Sequence, residues 1–254
     1  MPVKDPTQRF STRTDNYVRY RPTYPPEVIQ LLRNECGLTA DSIVADIASG
    51  TGIFTRLLLE NGNRVYGVEP NAEMRRAGEQ FLIDYPNFTS VDGTAEATTL
   101  PAHSVDIVTA AQAAHWFKLT ETRREFVRIL KPAGWAVLIW NERDVASNAL
   151  LREYEQMLLT YSIDYKEVRH ERTSAVIDTF FAPSPFQSRV FSISQRLDYE
   201  GLLGRTFSAS YTPPPGHPNH EPMLRELQRI FDAHQSAGKV SLDYATRVYY
   251  ARLS

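Results

Sequence analysis

Short apolar runs alternate with stretches of helical spacing through the first half of the chain. Runs rich in β-branched residues predict strands over 42–47, 64–69, 87–91 and 104–110, and a further strand is predicted over 135–141. The intervening segments carry apolar residues at helical spacing. Strands that alternate with helices are typical of βαβ units. The pattern therefore predicts an α/β fold built on a mostly parallel sheet.

After residue 142 this alternation stops. Long helical patterns appear over 148–161, 167–181 and 221–234, a shorter one over 198–207, and strand-like patterns over 189–195 and 240–253. We interpret the second half as insertions that cover the sheet. The predicted organisation is a single domain over 1–254, with an N-terminal cover segment over 1–35, a cofactor-binding core over 42–143, cap insertions over 144–185 and 196–238, and a final strand over 239–254.

Composition narrows the class of protein. Hydrophobic residues make up 42% of the chain and charged residues 23%, without an apolar run long enough for a bilayer. The formal charge of -2 offers no attraction to polyanions, and a single cysteine, Cys36, fits a reducing compartment. We expect a cytoplasmic protein whose partner is a small molecule, with no nucleic-acid and no membrane partner. The sequence leaves the oligomeric state open.

Candidate chemistry begins with residues 44–55, VADIASGTGIFT. Asp46 lies near the end of the first predicted strand, and Gly50 and Gly52 form the turn into the next helix. Glycines let a ligand approach the backbone closely, and a helix N-terminus favours an anionic group. An acid beside such a turn suits the zwitterionic amino acid end of S-adenosylmethionine. The alternative is a glycine turn made only for tight packing of strand and helix.

Glu69 ends the second predicted strand, nineteen residues beyond Gly50. An acid at this position usually accepts hydrogen bonds from ribose hydroxyls. Nicotinamide enzymes use the same arrangement, but Thr55 stands where their third fingerprint glycine would be. Two alternatives remain open on these residues: an NAD-dependent oxidoreductase, and a non-catalytic module that binds S-adenosylmethionine.

Four blocks together resemble the class I methyltransferases, specifically the small-molecule subgroup of the ubiquinone/menaquinone and trans-aconitate methyltransferases with a type 11 domain. The blocks are DIASGTG at 46–52, VEPNAEM at 68–74, GTAEATTLP at 93–101 and LKPAGWAVLIW at 130–140. The resemblance implies a Rossmann-like three-layer sandwich, whose seven-stranded sheet is mostly parallel with an antiparallel last strand, plus helical cap insertions. It also implies an enzyme that uses S-adenosyl-L-methionine and releases S-adenosyl-L-homocysteine.

The same resemblance assigns candidate cofactor contacts to the motif turn, the ends of the next strands and the N-terminal segment. We expect the cofactor to contact Tyr20, Arg21, Asp46, Ala48, Ser49, Gly50, Gly52, Glu69, Pro70, Met74, Thr94, Ala95 and Gln112. The outer blocks, YRPTYP, AHWF and RTFSASY, resemble segments of a further subset of methyltransferases. By that resemblance Tyr17 would close over the cofactor with Tyr20 and Arg21, and Ser208 would reach in from the lid.

Candidate acceptor residues surround the predicted carboxyl end of the fourth strand. His115 could accept a proton from a hydroxyl or amine, or it could only shape a pocket. Trp116 and Tyr211 would provide walls, and Arg143 and Arg205 could pair with a carboxylate unless they are surface residues. The histidines show no metal-ligand spacing, so no metal is predicted. We therefore expect a small polar acceptor, a carboxylate or a hydroxyl metabolite, under a mobile cap.

Overall fold

One twisted sheet organises the protein, described here by a computed structural model of residues 19–165 and 173–253. Its strands are β1 Ile43–Ile47, β2 Arg64–Val68, β3 Phe88–Val91, β4 Val105–Ala111, β5 Leu130–Arg143, β6 Gln187–Leu197 and β7 Val240–Arg252. Their order across the sheet is β3-β2-β1-β4-β5-β7-β6. The first five strands lie parallel, and β7 runs antiparallel to both β5 and β6.

The helices of the described ranges begin and end largely where the sequence predicts. They are α1 Glu27–Cys36, α2 Ile53–Glu60, α3 Ala72–Phe81, α4 Leu119–Ile129, α5 Ala149–Tyr161, α6 Thr173–Phe181, α7 Tyr199–Phe207 and α8 His220–His234. Side chains of Asn71, Asn148 and Asp198 accept backbone N–H groups at the starts of α3, α5 and α7. Gly37 ends α1 with a positive φ of 69°.

Helices cover both faces of the sheet, as the burial of consecutive residues in the central strands requires. On one face, α1 and α2 pack on strand residues that include Val44 and Ile139. On the other face, α4 packs on residues that include Ala45 and Trp140. The two layers of helices and the sheet between them form the predicted three-layer sandwich. Both the fold class and the antiparallel last strand are confirmed.

A third apolar cluster forms the cap. Helices α5 and α8 pack on each other, and α7 joins them, over the end of β7 that holds Leu242 and Tyr244. Helix α6 lies elsewhere, although it falls within the predicted cap insertion 144–185. Its Ile177, Phe180 and Phe181 are buried with α4 on the face of the sheet. The first predicted cap segment is therefore divided between the cap and a layer of the sandwich.

The predicted N-terminal cover segment is also divided. Helix α1 is buried in the first layer, whereas residues 21–25 run without regular structure across the edge of the sheet. The Asn141 side chain of β5 donates a hydrogen bond to the Thr23 carbonyl at 3.0 Å, which attaches this stretch to the sheet. Residues 1–18, with Tyr17, lie outside the described residues. Among the helices of the described ranges, none combines the length and the apolarity that a membrane span requires.

Candidate functional site

The carboxyl ends of β1, β4 and β5 meet the cap around a cavity of about 410 Å³. This is the edge at which open α/β sheets bind ligands. Its wall consists of residues from the motif turn after β1, from the ends of β4 and β5, and from the cap. The candidate residues that line it are Arg21, Asp46, Ala48, Ser49, Gly50, Gln112, His115, Trp116, Arg143, Arg205 and Tyr211.

The motif turn between β1 and α2 bends through three positive φ angles: 54° at Ala48, 57° at Gly50 and 82° at Gly52. Two of these are glycines, which adopt this conformation without strain. A Cβ on Gly52 would also lie 2.6 Å from Cδ1 of Leu82, so the packing of the turn against Leu82 requires a glycine there. The backbone at Gly50 forms part of the cavity wall.

Asp46 lies at the base of the cavity and is 1% exposed. Its two carboxylate oxygens accept hydrogen bonds from the hydroxyls of Thr55 at 2.6 Å and Thr109 at 2.8 Å. Burial raises the pKa of Asp46 to about 6, although both hydrogen bonds act in the opposite direction. Each oxygen keeps a second lone pair. Asp46 can therefore still accept a hydrogen bond from a ligand cation.

Glu69 lies beside the turn but not in the cavity wall. Its oxygens accept the backbone N–H of Gly50 at 2.9 Å and of Asn71 at 2.8 Å. Burial raises the pKa of Glu69, opposed by these two hydrogen bonds. One carboxylate thus fixes the glycine turn and the loop after β2 together. Its remaining lone pairs are available to hydroxyl donors.

Other candidate cofactor residues also lie beyond the cavity wall. Met74 is buried under the turn, where its Cε lies 3.4 Å from the position of a Cβ on Gly50. Pro70 follows Glu69, and Thr94 and Ala95 belong to the loop after β3, where Ala95 is 6% exposed. These residues continue from the turn toward β2 and β3, on the opposite side from the cap.

Tyr20 is separated from the cavity. Its ring packs on helix α7, where a Cβ on Gly204 would meet Cδ2 of Tyr20 at 2.1 Å, and its hydroxyl donates to Glu200 at 2.9 Å. The neighbouring Arg21 does line the cavity, and its guanidinium donates to the carbonyl of Ser208 at 3.4 Å. The N-terminal stretch thus contacts α7 and the residue after it through two successive side chains.

The end of β4 presents Gln112, His115 and Trp116 to the cavity. Gln112 has a positive φ of 61°, and its side chain donates to the carbonyl of Asn141 at 3.0 Å. A 3-10 turn, Ala114–Trp116, then carries the two aromatic rings, whose centroids lie 4.8 Å apart. The positive φ of Gln112, which is uncommon at a non-glycine residue, directs the chain from β4 along the cavity.

Arg143, at the end of β5, lies in a polar cluster within the cavity wall. Its guanidinium pairs with Glu155 at 3.2 Å, contacts the hydroxyl of Tyr165, and approaches the hydroxyl of Tyr211 at 3.4 Å. Tyr165 donates to Glu155 at 2.8 Å. Sequence reasoning missed Glu155 and Tyr165, because no local pattern indicates that a residue of α5 and a residue beyond that helix face Arg143. Arg143 is therefore neutralised by a carboxylate from the cap.

Arg205 projects from α7 and is 4% exposed. Its Nε donates to the hydroxyl of Tyr244 at 3.1 Å, and its Nη1 is buried with no hydrogen-bond partner among the described residues. Burial favours the neutral phenol of the nearby Tyr211, but Arg143, Arg205 and Arg21 outweigh burial and lower the pKa of Tyr211. The arginines therefore give the cavity wall around Tyr211 a positive potential.

The residues at the motif turn fit S-adenosylmethionine. A buried carboxylate with free lone pairs faces the cavity beside a backbone turn that no Cβ obstructs at Gly50 and Gly52. A second carboxylate, Glu69, stands one strand away. Within residues 19–165 and 173–253 no three His, Cys, Asp or Glu side chains are grouped so that they could hold a metal ion.

Comparison with known proteins agrees with this arrangement. Residues 45–138 match the family model of the methyltransferase domain. The chain is 38% identical over 141 residues to an uncharacterized methyltransferase of Mycobacterium tuberculosis, which covers 56% of this chain and 55% of the relative. It is 33% identical over 136 residues to an uncharacterized methyltransferase of Schizosaccharomyces pombe, with 53% of each chain covered. The matches thus span about half the length of these curated relatives.

Solved structures show the same fold over nearly the whole chain. A protein described as a type II methyltransferase of Anaeromyxobacter dehalogenans superposes with a TM-score of 0.67 at 21% identity, covering 92% of this chain and 98% of that one. A protein of Anabaena variabilis, described as a methyltransferase from an antibiotic biosynthesis pathway, gives 0.67 at 22% identity, covering 96% and 100%. Residues 45–138 are therefore similar to the methyltransferase domain family, and the chain has the fold of these solved methyltransferase structures.

Proposed function

We propose that the whole protein is an S-adenosylmethionine-dependent methyltransferase of the ubiquinone/menaquinone and trans-aconitate-like subgroup, with a small carboxylate or hydroxyl metabolite as acceptor. The observation that carries this proposal is the continuity of one cavity from Gly50 of the motif turn to Tyr211 of the cap. Its volume of about 410 Å³ falls within the range of small-ligand pockets, about 300–1,000 Å³. A cofactor at the turn and an acceptor under the cap would share this space.

The cofactor side needs residues that bind and orient a zwitterion joined to a nucleoside. Asp46 would accept the ammonium group, the backbone at Gly50 would lie along the amino acid, and Glu69 would accept the ribose hydroxyls. The buried Met74 and the loop at Thr94 and Ala95 would then border the adenine. When bound, S-adenosylmethionine supplies an electrophilic methyl group on its sulfonium.

The acceptor side needs alignment and exclusion of water, which supply much of the rate in a displacement at carbon. Trp116 and Tyr211 would form the walls. Arg143 would position the acceptor through hydrogen bonds donated by the terminal nitrogens of its guanidinium. His115 would accept a proton from a hydroxyl acceptor as a general base. A cavity enclosed in this way favours a small acceptor over a folded protein or a nucleic acid.

The direct test is calorimetric binding of S-adenosylhomocysteine against NAD, followed by transfer of label from S-adenosylmethionine to a fractionated metabolite pool. We expect binding of S-adenosylhomocysteine but not of NAD, and label in a small polar product. Asp46→Ala should reduce binding markedly, because it removes the carboxylate at the base of the cavity. Binding of NAD instead would contradict the proposal, and cofactor binding without transfer would favour a non-catalytic module.

A further inference from the structure

We propose that Arg205 anchors an anionic group of the acceptor, so that the site selects acceptors with a permanent negative charge, a carboxylate above all. Arg205 lies on helix α7 of the cap and lines the same cavity as the motif turn. This inference rests on the proposed function in one respect, which is that the anionic ligand is the methyl acceptor. The existence of an anion site at Arg205 can be tested without any turnover.

The acids that line the cavity are already engaged. Asp46 accepts two threonine hydroxyls, Glu142 pairs with Arg247 at 2.6 Å, and Glu155 pairs with Arg143. In the described ranges no carboxylate oxygen lies within 4.0 Å of the Arg205 guanidinium. Arg205 is thus a buried cation that contacts the hydroxyl and the ring of Tyr244, with the ring centroid 5.8 Å away, but pairs with no carboxylate of the described residues.

A buried guanidinium without a counter-ion is unfavourable, and a second cation beside it adds repulsion. Register across β5 and β7 makes Arg143 the partner of Tyr244, the residue that holds Arg205 Nε. The charges of Arg143 and Arg205 repel each other in this region of the wall, where Glu155 pairs with Arg143 alone of the two. An anionic ligand on Arg205 would remove this imbalance, and its buried Nη1 is an unused donor for it.

Arg205 is held at β7 through its hydrogen bond to Tyr244. This position distinguishes the proposed anion from the carboxylate of the cofactor. The motif turn follows β1, whereas Tyr244 lies on β7, three strands away in the order β1-β4-β5-β7. Neighbouring strands lie about 4.8 Å apart, so the two positions are separated by about 14 Å across the sheet. A cofactor whose amino acid end lies at Gly50 leaves Arg205 to the acceptor.

The first experiment uses thermal unfolding of the full chain saturated with S-adenosylhomocysteine. The probes are benzoate and succinate, each compared with its neutral amide, benzamide and succinamide. At ten times its Kd a carboxylate should raise Tm by about 3–6 °C, while the amide should leave Tm unchanged. Equal shifts by carboxylates and amides would overturn the anchor.

Variants then locate the effect. In Arg205→Met the difference in Tm shift between carboxylate and amide should disappear, and in Arg205→Lys part of it should remain. The control is Arg229→Met, a matched change on the outer surface of α8, in which the difference should persist. The unliganded Arg205→Met protein should have a Tm equal to or above the wild type, because an unpaired buried charge has been removed. A carboxylate effect retained in Arg205→Met, or a large loss of Tm without ligand, would overturn the proposal.

A second experiment examines the product of transfer from labelled S-adenosylmethionine to a metabolite pool. Because the anchored group keeps its charge, the labelled product should be retained on an anion-exchange resin at neutral pH. A neutral labelled product would overturn the anchor while leaving methyl transfer itself intact. Failure of S-adenosylhomocysteine to bind would instead contradict the proposed function, and the thermal shifts with carboxylates, repeated without it, would still decide the anion site.

Discussion

The carboxylate of Glu69 accepts the backbone N–H of Gly50 at 2.9 Å, across the gap between the loops after β2 and β1. Its other oxygen accepts the N–H of Asn71, whose own side chain begins α3. A single side chain therefore holds the glycine turn, the end of β2 and the start of a helix in one arrangement. We infer that this acid organises the cofactor side before any ligand binds.

Replacing Glu69 tests that role. In Glu69→Ala the turn loses a charged acceptor and the cofactor would lose its ribose contact, so affinity for S-adenosylhomocysteine should fall about 10- to 100-fold, the equivalent of about 1.5–3 kcal/mol. Calorimetry measures the change. Glu73→Ala, a change of an exposed acid in the first turn of α3, is the matched control and should bind as the wild type does. Affinity within twofold of wild type in Glu69→Ala would contradict this role.

The pKa of Asp46 predicts how binding depends on pH. Its pKa is raised to about 6 by burial, so the carboxyl is neutral below that pH and charged above it. A cationic ammonium binds the charged form better, and affinity for S-adenosylhomocysteine should therefore rise as pH increases from 5 to 7, by at most about tenfold per pH unit. Asp46→Asn should bind more weakly at pH 8 and show a flat profile. A flat profile for the wild type would exclude Asp46 as the ammonium acceptor.

The hydrogen bonds of Asn141 predict that this residue links the sheet to residues 21–25. Its amide donates to the Thr23 carbonyl at 3.0 Å and its oxygen accepts the hydroxyl of Thr246 at 2.6 Å. Asn141→Leu should lower the free energy of unfolding by about 1–3 kcal/mol, since it leaves buried polar partners unpaired. Denaturant unfolding measures the loss, and hydrogen exchange should show faster exchange over residues 21–25. Thr246→Val, which keeps the Thr23 contact, should leave that exchange unchanged; equal acceleration in both variants would refute the link.

Features that depend on neighbouring residues could be predicted from the sequence. The glycine turn and the strand ends are local, because backbone conformation depends on residues a few positions apart. The parallel order of the central strands follows from their alternation with helices. The placement of Asp46 at the end of β1 is therefore confirmed as a matter of fold, while its contact with a cofactor stays a prediction.

Features that depend on distant partners could not be predicted. The apolar stripe of α6 indicates a buried helix, but it does not say whether the sheet or the cap covers it. The pairing of Arg143 with Glu155 and Tyr165 joins the end of β5 to α5 and to a residue beyond α5, and no periodicity records such a pairing. Asn141 offered one usable signal, since an amide directly after the buried run 136–140 needs partners in the interior.

The division between α6 and the cap leads to a prediction about motion. Helices α5, α7 and α8 share a cluster with the ends of β6 and β7, whereas α6 packs with α4 through Phe126 and Phe180, whose ring centroids lie 5.5 Å apart. A cap that packs on the sheet only at this end can open while the central strands stay paired, and opening of this kind is measured by amide hydrogen exchange. We expect the cap helices and residues 21–25 to exchange more slowly when S-adenosylhomocysteine is bound.

Helix α6 provides the internal control, because it belongs to the same predicted insertion but packs on the sheet. Its exchange should be the same with and without the ligand. A carboxylate probe added with S-adenosylhomocysteine should slow α7 further, since Arg205 lies on that helix, and this additional effect should vanish in Arg205→Met. Equal exchange of the cap in both states would argue against closure, and slowing of α6 to the same extent as α5 would show that the ligand stabilises the whole domain rather than closing a cap.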